Sequence, residues 1–403
     1  MILQSQIATV IDSQQKSFIK KELGIQRDAL DQLPLVDNFA LIITGIRRCG
    51  KSTLLFQLLN QKFKDAIYLN FEDPRLAGFD LADFNRLSEE ITNRDTKTLF
   101  FDEIQLIEKW ELFIRQKLDE GYRIVITGSN AILLSKELGT RLTGRQLSVE
   151  LFPFSYLEYL RFTNSENSNS SLDAYLKIGG IPEYVKTGLG IILNNLLEDI
   201  LIRDIAIRYG IRDVSSLKQI AVFLISNIGK PVTAKSLLGL FDIKANSTIL
   251  DYFSYLEDAY LLQFIPMFSY SLKSQMRNPR KVYIIDMGLF TENSIIFTEE
   301  NGRRLENLIF LHLRIKYKEI YYFKNSGECD FVAMQQGQVK ELIQVCYEVN
   351  DMNFKREYKG LTEAMDFFKK TEGLIVSFNQ KDLFEEEGKI IRIIPAHEYL
   401  GTK

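Results

Sequence analysis

Residues 41–55 of the chain, LIITGIRRCGKSTLL, have the spacing of a phosphate-binding loop. Gly45, Gly50, Lys51 and Ser52 fit the pattern G-x-x-x-x-G-K-S/T. Glycines let backbone N–H groups turn inward around phosphate oxygens, the lysine reaches the β- and γ-phosphates, and the serine hydroxyl ligates Mg²⁺. Because an apolar run precedes the loop and a helical pattern follows it, the sequence predicts nucleotide binding rather than a plain strand–loop–helix connection.

A second motif, LFFDEIQ, occupies residues 99–105. Apolar residues followed by two adjacent acids are typical of a Walker B strand, in which Asp102 would hold Mg²⁺ through water and Glu103 would polarise the attacking water. Two carboxylates at a strand end can also form a solvated terminus. The phosphate-binding loop upstream favours the functional interpretation.

Further candidates follow a later strand, which ends near Thr127. Ser129 or Asn130 would sense the γ-phosphate, although a helix N-cap is an equally good use for either residue. Arg141 and Arg145 would neutralise charge in the transition state, with a surface salt bridge as the equal alternative. The predicted nucleotide contacts are Gly45, Arg47, Arg48, Cys49, Gly50, Lys51, Ser52, Thr53 and Asn130, those to Mg²⁺ are Ser52 and Asp102, and the predicted catalytic residues are Glu103, Lys51, Arg141 and Arg145.

Composition limits the class of protein and its compartment. A chain of 403 residues is long enough for two to four domains. Its two histidines exclude a histidine-rich metal site, and three widely spaced cysteines suit a reducing cytoplasm. No apolar stretch approaches the ~18 residues that span a bilayer, and no signal-peptide pattern is present, so the sequence predicts a cytoplasmic protein without membrane contact. The net charge of −3 leaves nucleic-acid binding open.

The first part of the chain alternates between strand and helix patterns, which predicts a parallel α/β sheet with helices on both faces. Residues 3–30 have a helical pattern, and a short connection with Pro34 follows. The predicted strands are 40–44, 66–71, 98–101, 123–127 and 146–151, and the predicted helices between them include 51–63, 82–92 and 110–120.

These motifs together resemble the AAA-type ATPases of archaea and bacteria. The resemblance covers about residues 20–165 and rests on the segments GIRRCGKS (45–52), YLNFEDPRL (68–76), LFFDEIQ (99–105), TGSN (127–130), RLTGR (141–145) and LFPFSYLEYL (151–160). It implies ATP and Mg²⁺ as cofactors, and a catalytic glutamate beside the Walker B aspartate. It does not settle the role of Asp73. Such proteins commonly carry a further C-terminal half, here marked by GGIPEY (179–184) and KVYIIDMG (281–288).

The middle of the chain predicts a winged helix. A polar run at 163–171 suggests a flexible linker, and 195–212 an amphipathic bridging helix. Three short helices at 217–228, 233–240 and 245–258 then precede a strand at 260–266, with Pro231 and Val232 at a helix start. Its third helix carries no lysine or arginine over 247–256, so DNA binding and protein contact remain equal alternatives. Basic residues in a predicted loop between this domain and the next would contact a phosphate backbone, with a solvated connector as the equal alternative; they are Lys273, Arg277, Arg280 and Lys281.

The end of the chain resembles the PD-(D/E)XK nuclease core. The predicted order is helix 303–317, strands 319–323, 329–334 and 340–347, helix 354–370, and strands 374–378 and 389–394. The resemblance places Glu306, Asp330 and Gln344 at acidic positions, but Cys346 stands where a lysine is expected. Lys324 or Lys340 would have to substitute for it. The sequence therefore favours a nuclease-derived domain kept for binding or assembly over an active nuclease.

The sequence thus predicts an AAA-like ATPase that acts through its C-terminal half. The alternatives are an ATP-dependent nuclease and a nucleotide-gated binding protein that does not hydrolyse ATP. Partners other than ATP would be DNA or a protein, and an arginine from the same or a neighbouring subunit of an oligomer would complete the site. The predicted domains are an N-terminal helical segment at 1–37, a P-loop core at 38–165, linker and bridging helices at 166–212, a winged helix at 213–270, a connector at 271–298, and a PD-(D/E)XK-like domain at 299–403.

Overall fold

Residues 1–19, 22–129, 142, 144–241, 243–295 and 300–402 are described by the computed structural model of the chain. They form two compact units. Unit 1 comprises Met1–Phe152 and Asp258–Tyr260, and unit 2 comprises Pro153–Glu257 and Leu261–Lys403. Within the described ranges, no helix is both long enough and apolar enough to cross a membrane.

Unit 1 is built on a five-stranded sheet in which every pairing is parallel. The strand order is β2-β3-β4-β1-β5, and helices connect β1 to β2, β2 to β3 and β3 to β4, so the predicted parallel α/β fold is confirmed. The predicted strand and helix ends agree with the observed ones to within one or two residues. The elements are α1 Gln4–Ile19, β1 Ala40–Thr44, α2 Lys51–Lys62, β2 Ile67–Asn70, α3 Asp83–Asn93, β3 Thr98–Asp102, α4 Trp110–Asp119, β4 Arg123–Gly128 and β5 Gln146–Glu150.

The N-terminal segment corrects one prediction. Residues 3–30 do not form one helix, because α1 ends at Ile19 and a separate 3₁₀ turn spans Asp28–Gln32. Between them Gly24 has a φ of +60°, and Arg27 has an extended backbone with φ −78° and ψ 137°. The helical pattern of the sequence continues through this region, but tertiary contacts of Arg27 override it.

Unit 2 begins with helices. They are α5 Tyr156–Thr163, α6 Asn169–Ile178, α7 Pro182–Thr187 and α8 Ile191–Asp199, followed by a π-helical stretch, Ile200–Ile207. The polar run at 163–171 is not a flexible linker. Asn164 ends α5 in the left-handed conformation, and Ser168 caps α6 by accepting the backbone N–H of Ser171 at 3.2 Å. Serine and asparagine suit helix caps as well as linkers, which explains the wrong prediction.

A three-stranded antiparallel sheet with the order β6-β8-β7 comes next. Pro231 and Val232 do not start a helix; they form β6 and pair with Lys281 and Arg280. The two-residue strand was too short for a periodic pattern to reveal it. The elements are α9 Val214–Ile225, β6 Pro231–Val232, α10 Ala234–Leu237, α11 Asn246–Asp258, β7 Leu262–Pro266, α12 Leu272–Arg277, β8 Arg280–Ile284 and α13 Met287–Asn293.

The last part of unit 2 contains a six-stranded mixed sheet with the order β13-β14-β12-β11-β10-β9. The predicted α-β-β-β-α-β order is present, with β13 as an additional edge strand and α16 as an additional helix. The elements are α14 Asn301–Lys316, β9 Glu319–Lys324, β10 Glu328–Gln335, β11 Gln338–Val345, α15 Phe354–Phe368, β12 Glu372–Ser377, β13 Asp382–Glu386, β14 Lys389–Pro395 and α16 Ala396–Leu400.

Candidate functional site

The carboxyl ends of three adjacent strands of unit 1 bring the two nucleotide motifs together. β4 lies between β1 and β3, so Thr127 of β4 pairs with Ile43 on one side and neighbours Asp102 on the other. Loops that follow parallel strands meet at the same edge of a sheet, which is where α/β proteins bind ligands. The phosphate-binding loop after β1 and the acidic pair after β3 therefore share one edge.

Gly45 begins the loop at a position that only glycine fits. Its φ is +144°, and a Cβ atom there would lie 2.1 Å from the backbone carbonyl oxygen of Leu151. Gly50, with a φ of +101°, directly precedes the first turn of α2. The loop thus delivers the chain to a helix N-terminus, where unpaired backbone N–H groups and the helix dipole favour an anion.

Lys51 directs its ammonium back into this loop. The Nζ atom donates to the carbonyl oxygens of Gly45, at 3.0 Å, and Ile46, at 3.1 Å, and the side chain is buried. A buried ammonium within a glycine-bounded loop is the group that a polyphosphate requires. Ser52 and Thr53 follow it in the first turn of α2, where both are half-buried.

Asp102 is fully buried at the end of β3, with each carboxylate oxygen engaged. Oδ1 accepts the hydroxyl of Thr127, and Oδ2 accepts the hydroxyl of Tyr68 at 2.8 Å. These contacts fix the side chain at the edge of the sheet. Neither Tyr68 nor Thr127 was among the predicted site residues, because each lies within an apolar strand pattern and only the parallel pairing brings it to Asp102.

Glu103 lies just beyond β3 in the left-handed conformation, with a φ of +54°. Its backbone N–H donates to Thr127 Oγ1 at 3.2 Å, and its carboxylate accepts the side-chain amide of Gln105. Burial raises the pKa of Glu103, while the positive charge of Lys51 opposes that rise. A carboxylate with a raised pKa is a better proton acceptor, as a general base requires.

Arg27 is a buried residue that sequence reasoning missed. Its guanidinium donates to the carbonyl oxygen of Cys49 at 2.8 Å and to that of Phe152 at 2.7 Å. Its backbone N–H donates to Gln57 of α2 at 3.1 Å. Arg27 therefore ties the phosphate-binding loop to the segment after β5, and no local pattern around residue 27 signals this role.

The remaining residues of the loop have separate positions. Arg47 lies 3.4 Å from Glu72, and Arg48 is exposed with a φ of +64°. Cys49 is buried, and burial raises the pKa of its thiol. Asp73, whose role the sequence left open, accepts the backbone N–H of Arg75 at 3.0 Å and so caps a 3₁₀ turn.

The predicted γ-phosphate residues are only partly described. Ser129 is buried after β4, while Asn130 and Arg141 lie outside the described residues. Arg145 forms an ion pair with Asp119 at 2.7 Å, which is the salt-bridge alternative, and it directly precedes β5 at the sheet edge opposite the phosphate-binding loop. Its catalytic role in hydrolysis stays a prediction.

A second cluster of charged residues lies in unit 2. Glu306 of α14 and Asp330 of β10 both contact the ammonium of Lys281, at 3.1 and 2.8 Å. Gln344 of β11 accepts the backbone N–H of Asp330 at 3.2 Å and donates to Glu357 at 2.5 Å. The structure thus brings together the three residues that the nuclease resemblance selected. Burial raises the pKa of Glu306 to about 7, against the opposing charge of Lys281.

The position of Lys281 corrects the predicted basic loop. Lys281 lies in β8 and is 2% exposed, and Lys273 and Arg277 lie in α12 rather than in a loop. Neither predicted substitute for the missing lysine contacts Glu306 or Asp330 through a described ion pair. Lys324 pairs with Glu328 at 3.2 Å, and Lys340 is exposed.

The two C-terminal motifs of the sequence meet around Asp286. Its carboxylate accepts the backbone N–H of Gly180 at 2.6 Å and that of Leu289 at 3.1 Å. A Cβ atom on Gly179 would lie 2.5 Å from the backbone nitrogen of Gly288, so the glycines allow this close approach. Burial raises the pKa of Asp286 to about 6, while the backbone N–H groups oppose the rise.

Comparison with protein families matches two separate segments of the chain. Residues 37–160 match a family described as an AAA domain, and residues 169–299 match a domain of unknown function, DUF8612. Among solved structures, AMPPCP-bound DnaA from Aquifex aeolicus is 20% identical with a TM-score of 0.29, and the alignment covers 57% of this chain and 85% of that one. A STAND protein with a tetratricopeptide repeat sensor, PH0952 from Pyrococcus horikoshii, is 14% identical with a TM-score of 0.30, covering 74% and 46%.

Two relatives match almost the whole chain. Uncharacterized protein MJ1544 of Methanocaldococcus jannaschii is 35% identical over 408 residues, which cover 93% of this chain and 91% of the relative. An uncharacterized protein of Haemophilus influenzae is 30% identical over 387 residues, which cover 89% and 96%. The chain therefore belongs to one family with these two proteins, and its residues 37–160 resemble an AAA domain.

Proposed function

We propose that the protein binds Mg-ATP at the edge of the unit 1 sheet and hydrolyses it. The observation that carries this proposal is the placement of a buried ammonium, Lys51, within a loop that Gly45 and Gly50 form. Asp102 and Glu103 end a strand at the same edge. A cation, a helix N-terminus and an acidic pair are the groups that phosphoryl transfer from ATP to water requires.

The side chains present suit ATP and Mg²⁺. Lys51 and the backbone N–H groups of the loop would hold the β- and γ-phosphates, together with the predicted contacts at residues 47–49, 53 and 130. Ser52 would ligate Mg²⁺ directly, and Asp102 would hold it through water. Bound Mg²⁺ neutralises phosphate charge and keeps several water ligands, so a single nearby carboxylate suffices.

Glu103 is the proposed general base. Its backbone is left-handed, and its backbone N–H donates to the hydroxyl of Thr127, which itself contacts Asp102. Glu103 is thus held next to Asp102, and the two carboxylates take separate roles. Glu103 would orient a water molecule and accept its proton as the oxygen attacks the γ-phosphorus. Arg141 from the same or a neighbouring subunit, or Arg145 from a neighbouring subunit, would stabilise the charge on the transferred group.

Lysine replacement tests this proposal. Lys51→Ala removes a charge-assisted contact to phosphate, so Mg-ATP affinity in calorimetry should fall about tenfold or more and phosphate release should be lost. Lys62→Ala is the matched control, because Lys62 lies on the exposed last turn of the same helix. Equal affinity and turnover in wild type and Lys51→Ala would reject ATP binding at this loop.

We further propose the six-domain division given by the sequence, with a winged helix at 213–270 and a degenerate nuclease-like domain at 299–403. The helix–strand–helix–helix–strand order of α9 to β7 supports the first assignment, and the α-β-β-β-α-β order supports the second. ATP hydrolysis would change the relation between the AAA domain and these C-terminal domains. The three cysteines are buried free thiols, which fits a cytoplasmic protein.

Nucleic acid is a second candidate partner, and α12 is the feature that favours it. None of its residues is buried, and Lys273 and Arg277 are exposed on it, close in sequence to the half-buried Arg280. Exposed cations beside the sheet of a winged helix suit contacts to a phosphate backbone. Leu272 and Met276 are also exposed there, which would equally suit a protein partner.

A salt titration separates these partners. If the protein binds DNA through α12, replacing Lys273, Arg277 and Arg280 with glutamine should reduce the slope of log affinity against log salt by about 2–3. The control variant replaces three exposed lysines elsewhere in unit 2, Lys318, Lys340 and Lys355. No DNA or RNA affinity at low salt, with or without ATP, would leave a protein partner as the better explanation.

The two rival functions make different predictions. An ATP-dependent nuclease would cleave DNA or RNA in the presence of Mg-ATP, and Glu306→Gln would abolish that cleavage. A nucleotide-gated binding protein would bind ATP without releasing phosphate, and Glu103 would be dispensable. One assay of phosphate release and nucleic-acid cleavage on the purified protein therefore distinguishes all three functions.

A further inference from the structure

Three carboxylates of unit 2 converge on one nitrogen atom. Nζ of Lys281 lies 3.1 Å from Glu306, 2.9 Å from Glu328 and 2.8 Å from Asp330. The lysine side chain is 2% exposed, whereas those of Glu306, Glu328 and Asp330 are 14%, 31% and 9% exposed. The ammonium is thus the centre of an oxygen shell that opens towards solvent only at Glu328.

The cluster is built from separate elements whose positions the fold fixes. Lys281 comes from β8, where its backbone pairs with β6 and β7. Glu306 comes from α14 and also accepts the hydroxyl of Tyr283 at 2.7 Å. Asp330 comes from β10, and its second oxygen accepts the backbone N–H of Val345 at 3.0 Å. The carboxylates are therefore held in place by contacts other than the lysine.

Negative charge is in excess within this shell. The ammonium faces three carboxylates, and Lys324, which is more than half exposed, lies 3.2 Å from Glu328 alone. Carboxylates held close together out of water repel one another unless a cation neutralises them. Lys281 supplies a cation at the centre of this shell.

We propose that the ammonium of Lys281 occupies the position of a divalent metal ion in this carboxylate cluster, and that removing it opens a metal site. Carboxylate oxygens are the ligands that Mg²⁺, Mn²⁺ and Ca²⁺ prefer. Among the described residues, no group of His, Cys, Asp and Glu stands ready to hold a metal ion. Ammonium–oxygen distances near 3 Å exceed the ~2.0–2.6 Å of metal–oxygen bonds, so the carboxylates must close inward to bind a metal.

A lysine-filled cluster differs from both nuclease interpretations of the sequence, the active nuclease and the nuclease-derived domain kept for binding or assembly. The lysine expected at position 346 of the third strand is absent, and the ammonium of Lys281 lies among the carboxylates instead. A chain with its own cation in the shell keeps this part of unit 2 folded without metal. It also excludes the metal that phosphodiester cleavage at these residues would use.

Manganese binding to the full-length protein without nucleotide tests the proposal. Lys281→Ala should bind one more Mn²⁺ per chain than wild type, with an affinity about 100-fold higher than any wild-type binding at this position, which corresponds to about 2.7 kcal/mol. Lys324→Ala is the matched control, since it removes a lysine that contacts the same cluster from outside the shell. Adding Glu306→Gln to Lys281→Ala should abolish the new site.

Thermal unfolding gives an independent measurement. Millimolar Mn²⁺ should raise the melting temperature of Lys281→Ala but not that of wild type or Lys324→Ala, because a ligand stabilises the state that binds it. If Lys281→Ala does not fold, its refolding yield with Mn²⁺ is compared with its yield in EDTA, and Lys281→Gln is treated in the same way. Absence of metal binding and of metal rescue in both variants overturns the proposal, as does wild-type binding as tight as that of Lys281→Ala.

Discussion

The hydroxyl of Tyr68 lies 2.8 Å from a carboxylate oxygen of Asp102. The contact joins adjacent parallel strands, β2 and β3, and is buried. Burial and the neighbouring negative charge raise the pKa of Tyr68 far above its ordinary value, so the tyrosine is the hydrogen donor. A residue from a strand that supplies none of the predicted site residues therefore helps to orient the proposed Mg²⁺ carboxylate.

Tyr68→Phe removes this hydrogen bond and leaves the ring, which packs edge-to-face on Phe56, in place. The free energy of unfolding of unit 1 should fall by about 1–3 kcal/mol, because a buried charged acceptor loses its donor. The Mg²⁺ concentration for half-maximal turnover should rise about fivefold for each ~1 kcal/mol by which the free energy of Mg²⁺ binding is weakened. Tyr358→Phe is the control, since its hydroxyl bonds Glu386 at the same distance on the exposed surface. Equal Mg²⁺ requirements in all three proteins would show that Tyr68 does not position Asp102.

Gly45→Ala tests the close approach of the phosphate-binding loop to the segment after β5. The added Cβ would meet the carbonyl oxygen of Leu151 at 2.1 Å, and a backbone atom cannot rotate away as a side chain does. The loop must shift, so Mg-ATP affinity should fall about tenfold or more. Gly121 also has a positive φ, +77°, but there is open space around it. Gly121→Ala should therefore cost about 1–2 kcal/mol of stability without changing the affinity for Mg-ATP. Calorimetric affinities for Mg-ATP decide the comparison, and a normal value for Gly45→Ala would contradict the geometry.

The raised pKa of Asp286 predicts that the stability of unit 2 depends on pH. Burial raises its pKa to about 6 in the folded state, above the ~3.9 of an unfolded chain. The folded state then holds the proton more tightly, so this contribution to stability is present below about pH 4 and is lost as the pH rises through about 6. Relative to Asp286→Asn, the unfolding free energy of wild type should fall by roughly 2–3 kcal/mol between pH 4 and 7.

Urea unfolding of both proteins across this pH range measures the difference. Asp366→Asn serves as the control, because Asp366 is exposed and pairs with Lys389. A constant difference between wild type and Asp286→Asn at every pH would mean that Asp286 does not titrate in this range.

The sequence predicted the AAA sheet because its signals are local. The first four strands, from Ala40–Thr44 to Arg123–Gly128, are mostly apolar runs, and the loop at Gly45 and the acids Asp102 and Glu103 lie at the ends of two of them. The carboxyl ends of parallel strands always lie at the same edge of a sheet. The edge that holds the candidate site could therefore be predicted as well.

Contacts between residues far apart in the sequence were not predictable in this way. Arg27 reaches Phe152 across 125 residues, and Lys281 reaches Asp330 across 49. A sequence pattern does not distinguish a charged residue in an exposed loop from one in a buried ion cluster, and the sequence therefore placed Lys281 in a loop. Only its ion pairs with Glu306, Glu328 and Asp330 show that its side chain lies among carboxylates.

Glu103→Gln provides the most direct measurement of the central claim, that Mg-ATP is bound by the loop and hydrolysed by the adjacent glutamate. The substitution keeps the shape of the side chain and removes its ability to accept a proton. Phosphate release and calorimetric affinity are measured on the same preparation. We predict an Mg-ATP affinity close to that of wild type and a turnover that is lower by about 10² or more. Turnover of Glu103→Gln at the wild-type rate would contradict the account.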